Sequence, residues 1–415
     1  MVSVTSVFSK VIYMNKFTFH VLGLVHLPQS LSYTSCAFTQ KNLKLAHMLA
    51  NLGHEVYFYG SEGSDVAEYV QSDNLHFVET HSLADIRKAW GDGDNRFEVG
   101  YDWTNTDFRH DFNTGKKEAT IKFYDKCIEE INKVKKPDDF LLLTQGVYHQ
   151  PVSEGVNLFL KVEPGIGYRG SVKANFRGFE SSFVKNFAYG SEHPFECING
   201  SYYDRTIGNY FDNNDFEFSD KKENYLLYIG RMIKRKGLMT AYLIAEETGI
   251  PLKIAGQGAH VLPDGSLEAI TNSDFHMPKG NWEYLGFADI PTRKRLLAKA
   301  QATIVATEYL EPFGGTHVES MLSGTPAITT NFSVFEETIP DYLDGKVGFR
   351  CNTLNDFVEA ARKSKDVDHK FVRQYAEKFL MDNIKWVYQR WFEDLHDVWE
   401  SATDTTKLGW HRIRK

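Results

Sequence analysis

Residues 302–306 form a short apolar run, Ala-Thr-Ile-Val-Ala, and the stretch that follows opens on two glycines, Gly314 and Gly315, with Thr316 next. An apolar run of this length, bounded by turn residues, predicts a buried parallel strand. Paired glycines predict a helix start that a ligand can approach closely. Gly324 and Pro326 stand where that helix must end. The segment reads as strand, loop, helix, strand, which commits this part of the chain to an open parallel α/β sheet. First-turn N–H groups have no partner inside a helix, and the dipole there is equivalent to roughly half a positive charge, so the start at Gly314, Gly315 and Thr316 suits a phosphate. Glu311 precedes the helix and Glu319 lies within it. Carboxylates repel phosphate and need donors such as sugar hydroxyls. The set predicts a nucleoside diphosphate sugar, with its pyrophosphate on the helix start, one carboxylate toward the hexose and the other toward the ribose diol.

The interval from Glu311 to Glu319, with Pro312, Phe313 and Gly314 inside it and Ser323-Gly324-Thr325-Pro326 after it, resembles the E-x7-E motif of retaining glycosyltransferases with the GT-B fold. Within that fold it is most similar to family 4, the glycosyl transferases group 1, and the resemblance extends from about residue 225 to residue 348. It implies an α/β architecture of two Rossmann-like domains whose parallel sheets face a central cleft, the second holding the donor and the first the acceptor. Residues 225–230 read as a buried strand that delivers Arg231 and Lys236 to its C-terminal edge, where open α/β sheets bind ligands. By resemblance, Gly230, Arg231 and Lys236 meet the diphosphate, Gly286 and Phe287 neighbour the nucleotide base, and Phe313 belongs to the donor motif. A guanidinium grips phosphate bidentately and an ammonium acts as a point charge, so the pair can replace a metal ion. Lys234 and Arg235 are read as surface charges.

At 415 residues the chain exceeds one hydrophobic core and predicts two domains. The expected boundaries are an extension over 1–14, the acceptor domain over 15–212, a linker over 213–224, the donor domain over 225–383 and a helix over 384–415 that crosses back to the first domain. A net charge of -8 gives no footprint for general nucleic-acid binding. Cys36, Cys127, Cys197 and Cys351 are too scattered for a zinc knuckle or a disulfide scaffold, which predicts a reducing, cytoplasmic setting. No apolar run approaches the roughly 20 residues that span a bilayer. Residues 1–13 lack the apolar length of a signal peptide, and Met14 is an alternative start.

Along the chain, residues 17–24, 37–52 and 54–60 read as a βαβ unit joined by a polar loop through residue 35. Family members often carry a glycine pair in that loop; it is missing here. Residues 90–115 read as an irregular insertion. Asp92-Gly93-Asp94 within it spells the Asp-x-Asp of metal-dependent glycosyltransferases but stands between Gly91 and Asn95 rather than after a buried strand, so a turn is expected and no metal. Residues 158–163 read as a strand ending at Glu163, a candidate contact to a sugar or acceptor hydroxyl or an ordinary strand-end carboxylate. Gly256-Gln257-Gly258 reads as a tight βα turn. Residues 371–399 read as one long helix with Trp386, Tyr388 and Trp391 in the core.

These readings converge on a retaining, metal-independent glycosyltransferase, most simply a hexosyltransferase, in which Arg231, Lys236 and Glu311 are catalytic and Glu319 orients the ribose. No cofactor is expected beyond the nucleoside diphosphate sugar as co-substrate. The acceptor stays open among a glycan, a lipid, a protein, a small molecule and a modified nucleic acid. Two alternatives stand beside it: a GT-B nucleotide-sugar epimerase and a non-catalytic sugar-nucleotide-binding protein.

Overall fold

The computed structural model describes residues 14–33, 36–90, 118–172, 174–192, 202–270 and 275–403. Residues 1–13 of the expected extension, the insertion carrying Asp92 and Asp94, and Cys197 lie outside them. Two sheets organise the chain. The first holds β1 (Thr18–Leu22), β2 (Glu55–Gly60), β3 (Leu75–Glu79), β4 (Phe140–Leu142), β5 (Lys161–Ile166), β6 (Phe176–Phe179) and β7 (Arg205–Thr206), in the order β3-β2-β1-β4-β5-β6-β7. All its pairings are parallel. The strands that follow are β8 (Leu226–Ile229), β9 (Leu252–Ala255), β10 (Ala259–Val261), β11 (Leu267–Ala269), β12 (His276–Met277), β13 (Trp282–Tyr284), β14 (Ala302–Val305), β15 (Ala327–Thr330) and β16 (Gly348–Cys351). Six of them form the second parallel sheet, ordered β13-β9-β8-β14-β15-β16, while β10, β11 and β12 make a small antiparallel sheet.

Parallel strands covered by helices on both faces must be apolar throughout. Accordingly β4, β8 and β14 are buried along their whole length. Strand order reverses at β1/β4 in one sheet and at β8/β14 in the other, and such switch points open a crevice at the C-terminal strand ends. The fold is GT-B.

The last helix, Met381–Thr403, belongs to the first domain by packing. Its Tyr388, Trp391, Phe392 and Leu395 share one cluster with Phe19, Leu49 and Phe140, and Trp391 Nε1 donates to Tyr203 O at 2.7 Å. The chain crosses between domains twice, and the crossings pair with each other: Phe211 N donates to Phe379 O at 3.0 Å and Met381 N to Phe211 O at 2.9 Å. This pairing corrects the single helix expected over 371–399. Leu380 is extended at φ -67, ψ 146, so the helix His369–Ala376 stops before Met381 starts the next. Trp386 is also corrected, being 53% exposed whereas Tyr388 and Trp391 are buried.

Three local readings change as well. Strand β5 starts at Lys161 and runs through Pro164 and Gly165 to Ile166, with a register shift against β6 between Glu163 and Ile166 that accommodates the proline. Gly256-Gln257-Gly258 leads into the hairpin strand β10, not into a helix. The loop after β1 is not a solvated polar segment, because Leu24 and Leu27 pack with Cys36 and Ile86 in a buried cluster. Among the described residues no helix is long and apolar enough to cross a membrane.

Candidate functional site

The crevice at β8/β14 holds a cavity of ≈ 70 Å³ lined by Gly230, Lys236, Thr307, Glu311, Gly314, Gly315 and Thr316, among others. Its floor is the start of the helix Gly315–Leu322. Gly314 caps that helix at φ 74, and no side chain takes up the first-turn N–H groups. A side chain at Gly314 would sit 2.9 Å from Glu311 Cγ and 3.2 Å from His317 Nδ1 in a left-handed conformation, so only glycine serves here. His317 braces the turn from behind. A carbonyl can only accept, so Nδ1 carries the proton donated to Gly314 O, and burial pushes the imidazole pKa down to about 4.

On the opposite wall, Lys236 Nζ donates to Glu311 Oε2 at 3.0 Å and to the Tyr309 hydroxyl. Burial lowers the lysine pKa, and the Glu311 charge offsets only part of that. Gly237 allows the turn to lie this close: a Cβ there would fall 1.9 Å from Ala306 O at the end of β14. Arg231 is exposed and lines neither cavity, although its charge acts on Lys236; it stands on the turn that Tyr228 Oη ties at the Arg231 carbonyl, 3.0 Å away. Lys234 is exposed. Arg235 is more than a surface charge, since its guanidinium lies 5.1 Å from the centre of the Tyr309 ring.

Gly315 also lines a second, larger cavity of ≈ 240 Å³ between the domains, together with Lys41 and Lys44 of the first domain, Tyr210 and Asp215 of the connection, and Arg293 and Glu319 of the second. Glu319 is ion-paired with Arg293. Lys41 is ion-paired with Glu180 and donates to Gly165 O at 2.6 Å.

Besides Arg231, four expected residues stand outside both cavities. Gly286 and Phe287 follow β13 and line neither cavity. Phe313 is 2% exposed and packs against Phe211 and Phe379, so it holds the loop rather than facing the cavity. Glu163 is fully buried and lines neither cavity; Tyr168 Oη donates to it at 2.8 Å and Val172 N at 3.1 Å.

Sequence reading did not single out the residues that pin the Glu311 loop. Ser333 Oγ donates to Glu311 O at 2.7 Å and does so from φ 66, a strained value for a residue with a side chain. From the first domain, Ser181 Oγ donates to Pro312 O at 2.7 Å, and Glu337 accepts from Ser182 N at 2.9 Å and Phe183 N at 2.7 Å. No motif marks a contact between segments so far apart. Among the described residues, a grouping of three possible metal ligands occurs at His396, Asp397 and Glu400 on the last helix, not at either cavity.

Two parallel α/β domains meeting at a cleft, with an open helix start and a basic turn on one side, make up the GT-B architecture. Residues 211–396 match the family described as glycosyl transferases group 1. A stretch of 131 residues is 29% identical to a glycogen synthase of Mycobacterium tuberculosis, spanning 30% of this chain and 30% of that protein. The fold matches sucrose-phosphate synthase from Thermosynechococcus elongatus at 16% identity and TM-score 0.62, over 92% of this chain and 100% of the other. It also matches Anabaena HepE, solved in complex with UDP and glucose, at 11% identity and TM-score 0.51, over 90% of this chain and 98% of the other.

Proposed function

We propose that the protein is a retaining glycosyltransferase that moves a sugar, most simply a hexose, from a nucleoside diphosphate sugar to an acceptor hydroxyl. One observation carries this reading: Lys236, Glu311 and the uncapped start at Gly314, Gly315 and Thr316 converge on one cavity at the sheet's switch point. The glycogen synthase likeness and the UDP and glucose held by HepE support it.

In this mechanism the bond from the anomeric carbon to phosphate lengthens and negative charge grows on the leaving diphosphate. Lys236, Arg231 and the N–H groups of Gly315 and Thr316 stabilise that charge in place of a metal ion. Glu311 orients the sugar while Lys236 holds its carboxylate. The acceptor hydroxyl attacks from the face the leaving group departs, and the diphosphate takes the proton. Glu319 meets the ribose.

The test is a donor screen by calorimetry, followed by transfer to an acceptor panel with the anomeric configuration of the product read by NMR. Transfer with retained configuration is expected. Inversion overturns the retaining assignment, turnover to an epimer without acceptor favours the epimerase, and donor binding without transfer or hydrolysis favours a binding protein.

A further inference from the structure

Glu319 is not free in the interdomain cavity, because Arg293, from the helix Ile290–Lys299, holds Oε2 through Nη2. The other oxygen, Oε1, lies 3.7 Å from the point a Cβ on Gly315 would occupy. Gly315 is the residue common to both cavities. One oxygen is therefore engaged and the other presented to the ligand side. Arg293 itself stands at the end of a chain of charges that leaves the second domain. Asp215, in the connection, lines the same cavity and its charge acts on the guanidinium. Asp215 Oδ2 in turn accepts from Lys44 Nζ at 2.7 Å, and Lys44 is 7% exposed on the first-domain helix Ala37–Asn51.

We propose that Arg293 is a positioning residue for the nucleotide: by clamping Oε2 it aims Oε1 of Glu319 at the ribose hydroxyls, and the Lys44–Asp215 pair ties this setting to the first domain. The inference rests on the nucleoside diphosphate sugar reading. A carboxylate with two free oxygens turns and stays hydrated, whereas one fixed by a charge-assisted hydrogen bond offers its second oxygen in a set direction. Because Asp215 lines the same cavity as the clamp and its charge acts on Arg293, the clamp's strength depends on where Lys44 holds that aspartate. Nucleotide affinity thus becomes sensitive to a lysine of the other domain.

The experiment titrates the full chain with UDP, ADP and GDP by calorimetry and continues with whichever binds the wild type. Arg293→Gln is expected to weaken that nucleotide about tenfold or more, the loss of one charged hydrogen bond. Arg293→Lys restores part of the affinity, and Lys44→Gln weakens it severalfold. Arg293→Gln combined with Glu319→Gln loses no more than Glu319→Gln alone, because a clamp without its carboxylate has nothing to aim. Melting temperatures check that each variant is folded. Unchanged nucleotide affinity in a folded Arg293→Gln, or additive losses in the double variant, overturns the inference and leaves the donor site standing. Failure of all three nucleotides on the wild type overturns the donor reading itself, and the inference with it.

Discussion

Lys236 and Glu311 meet at 3.0 Å across the β8/β14 crevice, the lysine from the turn after one strand and the glutamate from the loop after the other. The side chains are mostly buried, at 22% and 9% exposure, so each charge answers the other. A diphosphate arriving at Gly315 and Thr316 offers Lys236 a second anion, and a sugar offers Glu311 new donors. The pair sits where the bond between sugar and phosphate has to lie in the proposed reaction.

That position separates catalysis from ground-state binding. Interactions that strengthen as charge develops on the leaving group lower turnover more than donor affinity when removed. Lys236→Ala or Arg231→Ala is expected to cut the single-turnover rate at saturating donor by about a hundredfold or more. Lys234→Ala, exposed on the same turn, changes little. Equal effects from all three would mean that the basic turn acts only through its summed charge.

Transfer is expected to continue in chelator, since Arg231 and Lys236 are assigned the role a metal ion would play. Complete loss restored by manganese would return Asp92 and Asp94 to consideration.

The two tryptophans of the last helix give a stability contrast. Trp391 is 2% exposed and hydrogen-bonded to Tyr203 O, while Trp386 is 53% exposed. Trp391→Ala should cost about 3–5 kcal/mol, the range for emptying a buried aromatic site. Trp386→Ala should stay within about 0.5 kcal/mol. Urea unfolding of both variants measures the difference, and similar losses would show that the helix does not dock as described.

Much of the second domain was legible because short-range chemistry dictates it. Residues 302–306 are apolar because β14 is covered on both faces, and Gly314 is glycine because its φ and its neighbours forbid a side chain. The first domain was harder. No glycine pair follows β1, and Glu163 reads from sequence as either a sugar or acceptor contact or an ordinary strand-end carboxylate because its burial depends on Tyr168 and Val172 folding back over it. Trp386 and Trp391 are five positions apart on one helix, and composition could not say which faced the core. Contacts such as Ser181 with Pro312 join segments 131 residues apart and follow from the meeting of two finished domains.

Glu163 also makes a pH prediction. Burial pushes its carboxyl pKa up from the ordinary 4.5 to about 8, against the lowering effect of hydrogen bonds from Tyr168, Val172 and Ser171 and of the Arg177 charge. The folded chain therefore keeps a proton that the unfolded chain releases. This contribution is full below 4.5, declines as pH rises and is lost as pH passes about 8, with a slope of at most about 1.4 kcal/mol per pH unit. Glu163→Gln has no such proton, so its stability relative to the wild type should rise between pH 5 and 8. A constant difference in urea unfolding across that range would refute the assignment.

The first domain reaches the Glu311 loop through one short segment. Ser181 holds Pro312 O, and Glu337 accepts from the two N–H groups that open the first-domain helix Ser182–Glu192. One short segment thus grips both the loop of Glu311 and the helix that follows Ser333, itself bonded to Glu311 O. Removing a carboxylate cap of this kind typically costs about 1 kcal/mol, or about fivefold in an equilibrium. Because the contact joins domains and touches no proposed donor residue, the cost should fall on closure rather than on nucleotide binding. Glu337→Ala is therefore expected to lower turnover about fivefold at saturating donor while nucleotide affinity holds, and to enlarge the radius of gyration in solution scattering. High salt should narrow the gap between wild type and variant, since Glu337 is exposed. A variant that turns over at the wild-type rate, or that loses nucleotide affinity in the same proportion, would show that this contact does not couple the first domain to Glu311.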